Sequence, residues 1–215
     1  ADTCIAANSL IASDLSGFGA KTAIVPMALD GETWYPMQRK ESKTITIGWT
    51  GAPVNLPFLK SIIPSIKQVL AENRDVSFAI HCGEDPCFHE IKYDFIPFEK
   101  GKEPEVVRTF DIGLLPLSRD DFADGKSPIK ALQYLASGVA MVCSRTPATL
   151  DFSNKRTVSL YAETSNDWHE CMEKLVKDQS LLNEMSRNGR EQFDEYYEIS
   201  QTYPIQRKAL AGQLN

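Results

Sequence analysis

Short runs of residues that are apolar on both faces recur along the chain, with helical stretches between them. This alternation is the feature that most limits the fold. The strand-like runs fall at 4–6, 23–26, 44–49, 76–82, 94–96, 112–117, 140–144 and 158–161, each bounded by Gly, Pro or Ser. Strands buried on both faces belong to parallel sheets covered by helices. Between them, Leu59, Ile62, Ile63, Ile66, Val69 and Leu70 recur at helical spacing over 56–72, with Asn55 as expected N-cap, Pro57 in the first turn and Pro64 as an expected kink. A second helix is expected over 128–137, closed by Gly138. Longer amphipathic helices follow at 167–177 and 181–197, the first capped by Asn166 or Asp167. The βαβα order predicts an α/β fold: a Rossmann-like parallel sheet sandwiched by helices.

The organisation along the chain is uneven. Residues 1–30 read as strand–helix–strand, a unit too small to hold a core of its own. Residues 31–42 are polar, with mixed charge and Pro36, and read as a linker. The Rossmann-like unit is expected over 43–198, with a helical tail at 199–215. The chain opens on Ala1 without an initiator Met, which suggests a fragment or a processed product. With 42% hydrophobic and 24% charged residues, disorder is excluded as the main state. No stretch approaches the ~20 apolar residues of a membrane span. A net charge of -6 argues against a nucleic-acid-binding face and makes any lysine cluster stand out. The odd count of 5 cysteines fits free thiols in a reducing compartment, with Cys4 and Cys143 as small core residues.

The chemistry concentrates in 111–144, DIGLLPLSRDDFADGKSPIKALQYLASGVAMVCS. A strand ends near Pro116, a polar loop follows, and Gly125-Lys126-Ser127-Pro128 opens a helix. Ser127 suits the N-cap and Pro128 the first helical position. The unpaired N–H groups and positive dipole end of a helix N-terminus favour phosphate. Lys126 sits at that end and Lys130 one turn on. Two cations at a helix N-terminus, beyond the carboxyl end of a strand, make a candidate diphosphate site. The competing reading is a solvated lysine pair on an ordinary capped helix. A P-loop is disfavoured, because Asp120 stands where that motif needs its first Gly.

Two further stretches carry weaker signals. In 45–55, ITIGWTGAPVN, a strand runs into an expected turn with Gly48 and Gly51, where Gly51 would let backbone approach a ligand. There is no GxGxxG fingerprint. In 81–89, HCGEDPCFH, His and Cys are close together but match no zinc-ligand spacing. The plainer reading is a strand end and a Gly83 turn, with His81 or Gly83 facing a cleft. His169 reads as a surface residue, Trp34 and Trp168 as packing residues, and no Ser/His/Asp triad can be assembled.

IGWTGAP, then DIGLLPL, then GKSPIKALQYLASGVAMVCS together resemble the nucleotide-sugar half of retaining GT-B glycosyltransferases, nearest the family 4-like branch. The resemblance runs over most of the chain, and the 126–144 block is its specific part. It implies the second domain of a GT-B enzyme, with 1–30 as a short remnant of the first, acceptor domain. It further implies binding of a nucleotide diphosphate sugar, a UDP- or GDP-sugar, for transfer to an acceptor hydroxyl in glycan or polysaccharide synthesis. By resemblance, Trp49, Thr50 and Gly51 line the phosphates or sugar. Lys126, with the Ser127 backbone, holds the diphosphate and is the catalytic cation. Lys130 assists or packs, and Gln133 reaches the ribose. The backbone from Ile96 to Phe98 contacts the base, and Gly83 lines the same cleft. No metal or other cofactor is expected, since cations and helix N–H groups meet the charge on the leaving group.

The chain also departs from the pattern. Gly125 and Gln133 stand where many relatives carry glutamates, and Arg145-Thr146-Pro147-Ala148 replaces the usual continuation after the 140–144 strand. The acceptor, a glycan or lipid-linked sugar, is expected to bind through the first domain, so the isolated chain is expected to bind nucleotide but transfer little sugar. The expected location is cytoplasmic, with any membrane surface reached through that domain. The alternatives are an epimerase-like GT-B protein, for which no catalytic carboxylate and His set can be placed, and a non-enzymatic flavodoxin-like module. Asp111 precedes its strand, which counts against the latter.

Overall fold

The computed structural model describes residues 3–37, 44–118, 124–125, 127, 129–153 and 156–213. Its centre is a six-stranded, wholly parallel sheet built from β3 (Ile45–Gly51), β4 (Val76–Cys82), β5 (Asp94–Pro97), β6 (Ile112–Leu115), β7 (Ala140–Ser144) and β8 (Ser159–Ala162). The order across the sheet is β5-β4-β3-β6-β7-β8. The chain therefore starts in the middle, winds outward through β4 and β5, and returns to lay β6 on the other side of β3. The point between β3 and β6 is where winding reverses, and ligands of such sheets bind beyond the strand ends there.

Helices cover both faces. On one, α2 (Leu56–Glu72) and α6 (Ser165–Lys177) pack through Leu59, Ile62, Ile66, Val69, Trp168 and Met172. On the other, α3 (Glu103–Val107) and α4 (Ile129–Ala136) pack through Val107, Leu132, Tyr134 and Leu135, with Phe110 from the loop before β6. The long helix α7 (Gln179–Tyr196) contributes Leu182 and Met185 to the first core and Phe193 to the second. A short α5 (Pro147–Ser153) joins β7 to β8. The expected α/β architecture is the one observed.

Some local expectations are corrected. β3 runs unbroken through Gly48, where a turn was expected. Phe110 takes the place of a side chain there, since a Cβ on Gly48 would lie 2.1 Å from its ring. Asn55 ends a single 3-10 turn and makes no side-chain cap to α2. The cap of α6 is Thr164, whose hydroxyl accepts from the Asp167 N–H while the Asp167 carboxylate accepts from the Thr164 N–H. Asp167 is the third residue of that capping box, which is why its helix-start signal was real but displaced. Cys4 is only half-buried, whereas Cys143 is in the core.

Residues 3–24 form β1 (Cys4–Ala6), α1 (Ser9–Gly17) and β2 (Thr22–Ile24), with β1 and β2 in a separate two-stranded parallel sheet. The chain then passes Leu29, which pairs with Glu198, the N-cap of α8 (Ile199–Leu210). Trp34 is buried, and its carbonyl accepts from Arg190 of α7 at 2.6 Å, so this part of the 31–42 segment is fastened to the domain. No helix among the described residues is long and apolar enough to cross a membrane.

Candidate functional site

A cavity of about 120 Å³ opens at the point where winding reverses. Its walls are Trp49, Thr50 and Gly51 from the end of β3, Asn55, Leu115 to Leu117 beyond β6, and Ser127, Ile129 and Lys130 at the start of α4. Residues from three separate stretches of sequence thus meet because β3 and β6 are neighbours and α4 returns over their carboxyl ends. Trp49, Thr50, Gly51, Ser127 and Lys130 are among the residues read from sequence as donor-binding, and the structure brings these five together. Lys126 lies outside the described residues.

Gly51, in the cavity wall, also has a packing reason that the sequence did not show. A Cβ there would lie 2.3 Å from the Trp49 indole, so the glycine makes room for that ring. Trp49 itself is buried in the α2 face of the core. Thr50 points to the opposite face, as alternation along a strand requires, and Thr50 Oγ1 lies 3.0 Å from His81 Nδ1, a hydrogen bond. The two residues are register partners on β3 and β4. His81 is almost fully buried, and its Nε2 has no hydrogen-bond partner among the described residues. Burial and, secondarily, the Lys130 charge push its pKa below the ordinary value, so it is neutral at pH 7; Glu103 acts in the opposite sense.

Lys130 is half-buried at the second position of α4. Burial holds its pKa below the ordinary lysine value, opposed by Glu103 at the start of α3. A cation partly stripped of water in a cavity wall interacts more strongly with an incoming anion than one on an open surface.

The other sequence-read residues surround this cavity without lining it. Ile96 on β5 is the register partner of His81, and the exposed Phe98 stacks near it, with ring centroids 5.7 Å apart. The Phe98 N–H donates to the Cys82 carbonyl at 2.8 Å, which extends the β4–β5 pairing beyond the strand. Gly83 is exposed just past β4, facing Pro53. Gln133 is buried one turn further along α4, with its Oε1 unpartnered among the described residues. In the 81–89 stretch, Cys82 is buried while Cys87 and His89 are exposed, so these groups do not converge.

One contact and one contributor were missed. His81, read from sequence as a residue that could face a cleft, links Thr50 to Phe98 across the strand ends, and its neighbourhood of Cys and Gly gave no sign of that buried polar bond. Asn8 caps α1 by accepting from the Ile11 N–H, and its amide also donates to the Gly125 carbonyl at 3.1 Å and to Ser127 Oγ at 3.4 Å. A second cavity of about 260 Å³ lies between the two-stranded unit and the main sheet, with Asn8, Ser9, Met27, Ser127, Asp151 and Tyr197 in its walls. Ser127 is therefore a wall common to both cavities.

The chain matches no family model and no curated protein sequence. Its likeness to solved structures is extensive. It is similar to the C-terminal domain of a glycosyl transferase group 1 family protein, LpcC, from Francisella tularensis, at 16% identity over 80% of this chain and 100% of that one, TM-score 0.65. It is similar to sucrose-phosphate synthase from Thermosynechococcus elongatus, at 12% identity over 99% of this chain and 59% of that one, TM-score 0.71. It is similar to HepE from Anabaena, in complex with UDP and glucose, at 9% identity over 98% of this chain and 63% of that one, TM-score 0.78. The class of fold is thereby defined: the Rossmann-like C-terminal domain of GT-B glycosyltransferases. The chain spans less than two thirds of the length of the synthase and of HepE.

Proposed function

We propose that this chain is the donor-binding part of a hexosyltransferase-type glycosyltransferase, taking a nucleotide diphosphate sugar and presenting it to an acceptor hydroxyl. The observation that carries this reading is the cavity at the reversal point between β3 and β6, with the half-buried Lys130 in its wall. Its fold is shared with sugar transferases, one of which holds UDP and glucose. The cavity is smaller than the ~300–1,000 Å³ usual for a whole drug-sized ligand. A diphosphate suits it, with the base lying outward along Phe98 and Gly83 and the sugar toward the second cavity beyond Ser127.

The chemical demand of sugar transfer is to neutralise the departing diphosphate as charge develops on it. Lys126 and Lys130 supply two cations, and the start of α4 supplies N–H groups and its dipole. Thr50 offers a hydroxyl whose orientation His81 holds. No metal is required in this scheme. Acceptor binding would come from elements corresponding to the further length of the neighbouring structures, with a glycan or lipid-linked sugar as acceptor and a cytoplasmic setting. Placement in the family 4-like branch rests on the 126–144 motif.

The test is calorimetric titration of the chain with UDP, GDP, ADP and CMP in metal-free buffer, repeated on Lys126→Ala. Binding of one nucleotide, weakened by roughly 1–3 kcal/mol in the variant, is the expected outcome for loss of a charge-assisted contact. Absence of binding by the folded chain to all four sinks the proposal for this chain.

A further inference from the structure

We propose that Glu72, His169 and Glu173 form a site for a divalent transition-metal ion of the zinc class, remote from the nucleotide cavity and independent of its assignment. One ligand atom from each of these residues lies within 4.8 Å of the other two. Glu72 is the last residue of α2, while His169 and Glu173 lie one turn apart on α6. That i, i+4 spacing puts an imidazole and a carboxylate on one helix face. His169 Nε2 already stands 2.9 Å from Glu72 Oε2.

The donor set selects the ion. An imidazole with two carboxylates suits zinc-like ions, whereas calcium and magnesium favour oxygen alone. Around tetrahedral zinc, with bonds of about 2.0–2.1 Å, ligand atoms sit about 3.4 Å apart. No present separation exceeds 4.8 Å, a gap that side-chain rotation can close without movement of the helices. The helices are already fixed: Ile62, Ile66 and Val69 share a core with Trp168 and Met172, and Ser65 Oγ donates to the Ser165 carbonyl at 2.7 Å.

Glu173 is the observation that points to a cation. It is buried, and among the described residues its Oε2 is met by the ammonium of Lys177, an ion pair whose lysine side chain is itself 67% exposed. The other oxygen accepts from the Asn73 amide, which orients the carboxylate as outer partners of metal ligands do. Lys177 thus occupies the place of the ion through a flexible, solvated side chain that can leave. A bound ion would tie the end of α2 to α6, and water would complete its coordination.

The experiment titrates the whole chain, freed of metal, with zinc chloride by calorimetry, and with cobalt(II) by visible absorption. Expected are one ion per chain, a tetrahedral cobalt spectrum, and a higher melting temperature with zinc. His169→Ala should weaken binding at least tenfold and remove the thermal shift, and its melting in metal-free buffer checks that it folds. Glu72→Gln serves as a second variant. Lys177→Met should tighten binding several-fold, whereas Lys174→Met, which removes the same charge elsewhere on α6, should not. No binding, equal binding by His169→Ala, or equal tightening by the two lysine variants overturns the site. So does a thiolate-to-cobalt charge-transfer band, which would place the ion on a cysteine such as the exposed Cys87.

Discussion

Replacing Lys130 by Met should change stability and nucleotide affinity in opposite directions. Methionine keeps most of the stem that fills the cavity wall and removes the ammonium. In the free protein that ammonium is partly desolvated, and burial lowers its pKa. Exchange of a poorly solvated charge for an apolar group of similar volume is neutral to stabilising, here about 1 kcal/mol. For a chain of 215 residues this raises the melting temperature by roughly 2–4 °C. Affinity for the preferred nucleoside diphosphate should fall by about 1–3 kcal/mol, because a charge-assisted contact to phosphate is lost.

The pH dependence follows from the same group. A lysine whose folded-state pKa is depressed destabilises the fold while protonated. That penalty is complete below the folded pKa and disappears as pH rises from it toward the unfolded value, because the unfolded chain then binds more protons. Wild-type stability therefore gains from Lys130 across that alkaline window, while nucleotide affinity declines over it. Lys130→Met should lack both dependences. The measurements are thermal melts and titrations with UDP and GDP from pH 7 to the alkaline limit of stability. Equal affinity in the variant, or a lower melting temperature accompanying weaker binding, would refute the reasoning, since the lysine would then be only a structural member of α4.

Gly48→Ala should destabilise by about 3 kcal/mol, because its Cβ would meet the Phe110 ring at 2.1 Å and that ring is locked in the core. Chemical denaturation reads this directly, and a change below 1 kcal/mol would mean that Phe110 can move aside. Asn8→Ala should cost about 1 kcal/mol of α1 stability through loss of its cap, and should also loosen Gly125 and Ser127, to which its amide donates. Hydrogen exchange should then quicken in both places; faster exchange in α1 alone would separate the two-stranded unit from the cavity.

The sheet was legible in the sequence because its strands are buried on both faces and show as unbroken apolar runs. Runs such as 76–82 and 140–144 match the observed strands end to end. The cavity was legible in part. Gly125, Lys126 and Ser127 announce a helix start, and the Trp49-Thr50-Gly51 stretch announces a strand end, but that they meet follows from the sheet order. The misreadings share one cause: a residue was assigned to its local backbone when a distant side chain governs it. Gly48 answers to the Phe110 ring. His81 is chosen by its register partner Thr50, 31 positions earlier, and Asn8 by a loop 117 positions later. His169, expected on the surface, is drawn into the α2–α6 contact by Glu72.

Helix α7 is shared property of the two cores. Leu182 and Met185 belong to one, Phe193 to the other, and Arg190 between them donates to the carbonyls of Trp34 and Ala136. Peeling this helix away would open both faces of the sheet at the same moment and release the segment around Trp34. Neither face can therefore act as an independent folding unit. Damage anywhere along α7, whether by oxidation of Met185 or by cleavage in a neighbouring loop, is felt by the whole sheet, including the strand ends that frame the cavity on its far side.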